Sequence, residues 1–287
     1  MITVKLMGGL GNQLFQLCTC ISYGIENRKQ IILSKDKLDY ISPHDNTSNR
    51  PVYWDNFLSN MNKYIADKDD VLWKTFDLLY REEGEYAMIP YSDRNIILFG
   101  YFQSYRFFEH IKNDIPSLLR LNHYKNIVQL KFNFNNSVYI SLHFRIGDYK
   151  KAGSDTHPIL PLQYYINALN YIIDKITNDD SIYNKITVLC FGEKQDAIQI
   201  NKNICLLKIN FPIITFKLCD VELEDYEEMI LMSCCNHNII ANSTFSWWGA
   251  YLNRNTSKIV TYPNIWFGKN IKTSTADLFP TDWHCVS

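Results

Sequence analysis

The stretch that decides how the chain folds is Val138 to Tyr149, VYISLHFRIGDY. Val138, Ile140 and Leu142 alternate with Tyr139, Ser141 and His143, the period of two that marks a β-strand, and Gly147 allows the sharp turn that ends the run. His143, Arg145 and Asp148 therefore collect at the strand's carboxyl end. In open α/β sheets that end faces the ligand crevice, and an arginine there presents a planar fork of N–H donors suited to a phosphate. A surface ion pair of His143 and Arg145 with Asp148 uses the same residues, and a motif this short does not separate the two readings.

Downstream the same arrangement recurs. Asn238 to Ala241 reads as a strand, and Asn242-Ser243-Thr244-Phe245-Ser246-Trp247-Trp248-Gly249 leads from it into a helix expected over 243–252. Ser243 or Thr244 is a natural N-cap, and the N–H groups behind it carry the positive end of the helix dipole. Hydroxyls and amides together can cradle a diphosphate without a metal, while the plainer alternative is a capped core helix whose tryptophans fill the layer against the sheet. Tyr226-Glu227-Glu228-Met229 opens the helix before it. A carboxylate there can accept from the ring N–H and amino group of guanine, although an acidic first turn also stabilises a helix by itself.

The rest of the chain alternates in kind. Ile2 to Leu6 reads as a strand, the loop GGLGNQ over Gly8 to Gln13 follows, then a helix to Glu26 and a strand over Ile31 to Ser34. No Gly-Lys-Ser/Thr completes a Walker loop, and Leu14 stands where a dinucleotide fingerprint needs its third glycine. What remains is a helix start near Asn12 able to receive an anion or a sugar hydroxyl, or a plain tight turn. Lys35 to Asp70 reads as irregular. Within it Asp67-Lys68-Asp69 has the form of a divalent-metal motif, but in a charged run without a leading strand it reads as a solvated turn. Asn95 to Phe99 is a strand, Tyr101 and Gln103 sit in the turn GYFQS where they line a sugar site or only pack the turn, and a helix is expected to about Leu121. The polar, Asn-rich 122–136 marks the boundary between two lobes. Beyond it, Pro161 opens a helix with Leu162, Tyr165, Ile166, Leu169, Ile172, Ile173 and Ile176 on one face, and strands are expected at 185–191, 213–218 and 258–262. Such alternation implies parallel sheets covered on both faces.

Composition narrows the function classes. Of 287 residues 46% are hydrophobic, enough for real cores, and 29 Lys plus Arg against 30 Asp plus Glu leave no basic field for nucleic acid or anionic lipid. The amino terminus lacks a cationic leader with an apolar core, and no apolar run reaches membrane-spanning length, so a cytoplasmic location is expected. The eight cysteines match no zinc or redox spacing and read as reduced core residues.

GGLGNQLFQ, GYFQS, HFRIGDY and NSTFSWWGAYL, in this order along nearly the whole chain, resemble the α-1,2-fucosyltransferases, inverting GT-B enzymes that use GDP-fucose. The resemblance implies an α/β, GT-B-like fold of two Rossmann-like lobes with parallel sheets facing a cleft: 1–130 on the acceptor side and 131–287 binding the donor. It implies that Arg145 binds the diphosphate, His143 the nucleoside, Ser243, Thr244 and Ser246 the phosphates, and Glu228 guanine. Ile146 departs from the family motif, which has a second arginine there; the change is neutral if the side chain points away from the crevice and costs donor affinity if it faces the phosphates. The implied reaction transfers fucose to a galactoside-type acceptor, an oligosaccharide or glycoconjugate, with inversion and with no metal or other cofactor. Asp148 is the first candidate base, with Asp155 and His157 behind it. A fucosyltransferase of another linkage, a transferase of another GDP-sugar, and a non-catalytic nucleotide-sugar or glycan-binding protein on the same scaffold are the alternatives.

Overall fold

The computed structural model describes residues 1–35, 51–67, 71–176 and 183–287. Lys68 and Asp69 of the Asp-x-Asp sequence, and much of the stretch read as irregular, lie outside them. The fold is α/β, with two compact units, Met1–Asn122 with Thr273–Pro280 and His123–Lys272 with Thr281–Ser287, and among the described residues every paired strand is parallel to its neighbour. The division falls before the expected 130. The division meets the start of the segment 122–136, which is largely helix because Leu121, Tyr124 and Val128 recur on one face and are buried. The carboxyl-terminal stretch is also not all of one unit, since Thr273–Pro280 returns to the first.

The first unit contains β1 (Ile2–Val4), α1 (Leu10–Glu26), β2 (Leu33–Ser34), β3 (Ile65–Ala66), β4 (Leu78–Arg81) and β5 (Ile96–Phe99). Its main sheet has the order β1-β5-β4, and β2 pairs with β3. Helix α1 is buried along nearly all its length, glutamines included. Gln16 accepts from the Met7 N–H at 2.9 Å and donates to the Met7 carbonyl at 3.3 Å, while Gln13 donates to the Gly8 carbonyl at 3.0 Å. These amides meet backbone groups that burial would otherwise leave unpaired, and so fasten the glycine loop onto its helix. The single helix expected after GYFQS is instead a 3₁₀ turn over Tyr105–Ile111 and a short α2 (Ile115–Leu118). Pro116 cannot donate to a preceding turn, which stops one helix from running through.

The second unit follows α3 (Leu121–Lys131) with β6 (Val138–His143), α4 (Tyr149–Ala152), α5 (Leu162–Ile176), β7 (Ile186–Phe191), α6 (Ala197–Asn210), β8 (Thr215–Leu218), α7 (Asp225–Met232), β9 (His237–Ile239), α8 (Thr244–Tyr251), β10 (Val260–Pro263) and β11 (His284–Val286). Its six strands run β11-β10-β9-β6-β7-β8. From β6 the chain winds outward through β7 and β8, then returns to the other side of β6 and winds through β9, β10 and β11. That is a doubly wound order, and its reversal lies between β6 and β9, where such sheets open a crevice at their carboxyl ends. Ile140 and Leu142 of β6 pack with Leu169, Ile172 and Ile173 of α5 and Ile200, Ile204 and Leu207 of α6. The buried Asn238 side chain of β9 donates to Ser141 Oγ of β6 at 2.7 Å, which ties the two strands flanking the reversal.

Of the cysteines, Cys18, Cys20, Cys190 and Cys235 are buried and Cys219 and Cys234 partly so, but Cys205 and Cys285 are exposed and are not core residues. Among the described residues no helix is long and apolar enough to cross a membrane.

Candidate active site

Beyond His143 the ladder continues for one bond, Phe144 N–H to Phe191 carbonyl at 2.8 Å, and then the chain leaves β6. Phe144 and Ile146 turn into the core, so the residues between and beside them face the other way. Ile146 is 4% exposed there, and the position where the family motif has its second arginine is thus an apolar core position in this chain.

Arg145 takes the other direction and is held by two carboxylates. Its Nη1 donates to Glu193 Oε1 at 2.6 Å and its Nη2 lies 2.7 Å from Asp148 Oδ1 and 2.9 Å from Oδ2. The guanidinium side chain is only 17% exposed, and its Nε is buried with no hydrogen-bond partner. The surface ion pair with Asp148 is therefore real but incomplete as an account, because a fork of donors this deep leaves one N–H aimed at nothing in the protein. His143 is buried as well. Burial, and secondly the charge of Arg145, push its imidazole down to about 3, so it is neutral at physiological pH, and its Nδ1 has no hydrogen-bond partner. Two orphaned polar atoms on neighbouring positions of one strand end fit a polar ligand.

Two acidic residues that the sequence did not single out build this corner. Glu193 follows β7, the parallel neighbour of β6, and clamps Arg145. Asp196, 4% exposed, accepts from the Gly147 N–H at 2.7 Å and from Lys150 Nζ at 2.6 Å, which fixes the loop carrying Arg145. A Cβ on Gly147 would stand 2.5 Å from a Glu193 carboxylate oxygen, so a side chain there would push that carboxylate off its contact with Arg145. Tyr149 completes the support: its ring lies 5.3 Å from the Arg145 guanidinium carbon, stacks on His157 at 4.9 Å, and its hydroxyl donates to the Asn242 carbonyl at 2.7 Å. That last bond links the end of β6 to the loop after β9, across the reversal.

At the start of α8, Ser243 is the N-cap and accepts from the Phe245 N–H at 3.3 Å. Ser246 is buried; it accepts from the Ala241 N–H at 3.2 Å and donates to the Ser243 carbonyl at 3.3 Å. Its hydroxyl thus closes the turn, and Thr244, only partly buried, is the hydroxyl left nearer the surface. Phe245 reaches the His143 ring at 5.8 Å. Gly249 lets α7 press onto α8, since a Cβ there would meet Met232 Cβ at 2.9 Å.

The two glutamates of α7 divide their work. Glu227 closes a capping box with Glu224 and pairs with Lys131 at 2.7 Å. Glu228 is partly buried, and burial first, then Asp225, pushes its carboxyl up to about 7 against the opposing pull of Lys194, the neighbour of Glu193. The remaining candidates lie elsewhere. Asp155 faces Lys269 at 3.3 Å and is half exposed, and its carbonyl accepts from the Asn270 N–H. Asn12 belongs to the first unit, where its Oδ1 accepts from Gln103 Nε2 at 3.1 Å. In the same unit the N–H groups of Tyr101 and Phe102 both donate to Glu82 Oε2 at 2.7 Å, so a carboxylate already fills the nest of the GYFQS turn.

A largely buried arginine, a neutral histidine and a capped helix start lie around the switch point of a doubly wound sheet, a set of donors able to receive an anion. Comparison with known proteins gives the family: the glycosyl transferase family 11 profile matches residues 1–287, and the chain belongs to that family of glycosyltransferases, as its likeness to the α-1,2-fucosyltransferases implied. The O-antigen biosynthesis glycosyltransferase WbnK of Escherichia coli is 32% identical over 61% of this chain and 57% of its own length, so the match spans little more than half of that relative. An α-1,2-colitosyltransferase of Escherichia coli is 23% identical over 98% of this chain and 97% of its own. Galactoside α-(1,2)-fucosyltransferase 2 of Oryctolagus cuniculus is 22% identical over 88% of this chain and 67% of its own.

Proposed function

We propose that this glycosyltransferase transfers fucose from GDP-fucose to a galactoside-type acceptor in α-1,2 linkage, with inversion and without a metal ion. The observation that carries the reading is Arg145, deeply placed at the switch point with a spare N–H and linked through Tyr149 to Asn242, the residue before the α8 N-cap. As the bond from fucose C1 to the diphosphate oxygen breaks, negative charge grows on that oxygen, and preorganised donors in a poorly solvated site stabilise it most. Arg145, the N–H groups at the start of α8 and the Ser243 and Thr244 hydroxyls supply those donors. The acceptor hydroxyl attacks the opposite face of C1 and loses its proton; the diphosphate leaves with the electron pair.

Asp148 is the base in this scheme, with Asp155 and His157 as the alternatives. Arg145 holds Asp148 before donor binds. The donor meets the unpaired Nε–H of the fixed guanidinium, and Asp148, half exposed beside it, takes the acceptor proton. Glu228 reads guanine, His143 contacts the nucleoside, Asn12 is assigned to donor binding, and the acceptor side, with Gln103, is assigned to the first unit. The names of two relatives share the α-1,2 linkage but differ in the sugar, so colitose is the second donor sugar to try. The test is incubation with a panel of GDP-sugars and β-galactosides and assignment of the product linkage by NMR. An α-1,2-fucosylated galactoside supports the reading. Turnover with another sugar only, another linkage, or GDP-fucose binding without transfer refutes it in favour of the corresponding alternative.

A further inference from the structure

Helix α6 has two apolar faces, and the protein uses one. Ile200, Ile204 and Leu207 point into the core beneath it. On the opposite side Ile198 is 90% exposed, Ile209 75% and Leu206 39%, with exposed Cys205 between them, and Ile213 just past the helix is 59% exposed. Positions 198, 202, 205 and 209 are spaced four, three and four residues apart, so they lie along one line of the helix surface. The polar positions Gln199, Asn201, Asn203 and Asn210 flank that line. An outward stripe of this kind is costly to leave in water and has no part in the site described above.

Charge identifies what fits it. From Ala197 to Leu218 the chain has Lys202, Lys208 and Lys217, all exposed, and no acidic residue. Lys202 sits within the stripe itself. A second copy of the chain laid against the stripe would bring its lysines toward those of the first, a like-charge contact that opposes self-association. The stripe also lacks the Trp, Tyr and Arg that anchor protein partners. Aliphatic side chains among lysines, whose stems lie along apolar surface while the ammonium groups stay in water, suit an interface between acyl chains and anionic headgroups.

We propose that the outer face of α6, with Ile213, is a docking surface for an anionic lipid bilayer. Ile198, Leu206, Ile209 and Ile213 enter the headgroup region, and Lys202, Lys208 and Lys217 meet the lipid phosphates. The formal charge of −1 for the whole chain, which argued against such binding on composition, does not describe this local face. Because α6 begins directly after Asp196, the bilayer would lie against the element whose amino end holds the Arg145 loop.

The test is cosedimentation of the full chain with vesicles of phosphatidylcholine alone and with 30 to 40% phosphatidylglycerol (roughly the range in which surface charge governs binding). Binding to the anionic vesicles, weakened by salt, is expected. Ile198→Ser with Ile209→Ser should lower partitioning by about tenfold or more, and Lys202→Gln with Lys208→Gln by roughly fivefold per lysine. Thermal midpoints should stay at the wild-type value, because all four side chains are exposed. Absence of binding to anionic vesicles, equal binding to neutral ones, or binding untouched by either double substitution overturns the proposal. So does a stable dimer in sedimentation equilibrium that Ile198→Ser with Ile209→Ser dissolves, since the stripe would then belong to a second copy.

Discussion

Arg145→Lys is the substitution that separates a working clamp from an ornamental ion pair. The guanidinium now spans two carboxylates, Glu193 at 2.6 Å and Asp148 at 2.7 Å, and keeps its Nε–H unspent. A lysine ammonium retains the charge but is a point donor, and it cannot satisfy both carboxylates and a diphosphate in one plane. The stability cost should be small. Glu193 and Asp148 are 31% and 50% exposed, so solvent and salt screen what is lost, about 1 kcal/mol in total. For a unit of this size that lowers Tm by about 2–4 °C. The catalytic cost should be larger, because the contact strengthens as charge develops on the leaving group. Removing one preorganised donor to a developing anion lowers kcat by about 10²–10³, equivalent to about 2.7–4 kcal/mol. Measuring kcat, KM and Tm on one preparation decides the matter. A fall in kcat far beyond what the Tm shift allows supports the clamp. Wild-type kcat with a small Tm loss would refute the assignment of Arg145 to the leaving group, and an equal rise in KM at constant kcat would make it a binding residue only.

Three further outcomes are expected. Turnover should survive EDTA, since cationic and N–H donors meet the diphosphate charge in this scheme; abolition by chelator and rescue by Mn²⁺ or Mg²⁺ would show the reverse. Glu228→Gln should weaken GDP binding in calorimetry, and because the folded carboxyl is pushed up to about 7 from 4.5, wild-type GDP affinity should rise as pH increases through 7 while the glutamine variant stays flat. The sign for stability is opposite: the raised carboxyl favours the ligand-free fold below 4.5 and loses that contribution as pH rises through 7, so Glu228→Gln should gain most in Tm above pH 7. Asp196→Asn should lower stability by about 1–3 kcal/mol, because a charged acceptor for the Gly147 N–H and Lys150 is lost, and should lower kcat as well; an unchanged melt would mean that the loop is held by something else.

Much of the site was legible because its determinants are local. A period-two strand followed by charged residues and glycine, and a hydroxyl-rich N-cap after another strand, are signals within a dozen residues. Glu193 and Asp196 were not legible, since they act on residues 48 and 49 positions away, and only the parallel pairing of β6 with β7 brings them there. The polar helix α3 escaped because just Leu121, Tyr124 and Val128 record its buried stripe. Strands of three or four residues such as β4 and β11 hold too few alternations to show a period. Conversely, the inward Ile200, Ile204 and Leu207 of α6 and its outward Ile198, Leu206 and Ile209 are chemically alike, so periodicity alone could not say that one set faces water.

The geometry also explains why Ile146 is tolerable where the family motif has a second arginine. Residues 144 and 146 leave β6 on the core side and 145 on the crevice side, so a charge at 146 would be buried in the apolar core. The single arginine that remains is then aimed from three directions. Glu193 holds its head, Asp196 holds the loop beneath it through Gly147 and Lys150, and Tyr149 ties that loop to Asn242, 93 residues on. None of these anchors depends on a ligand being present. In the proposed scheme, a guanidinium positioned before the donor arrives needs little reorganisation as charge moves onto the leaving group, which is how a single arginine can serve there.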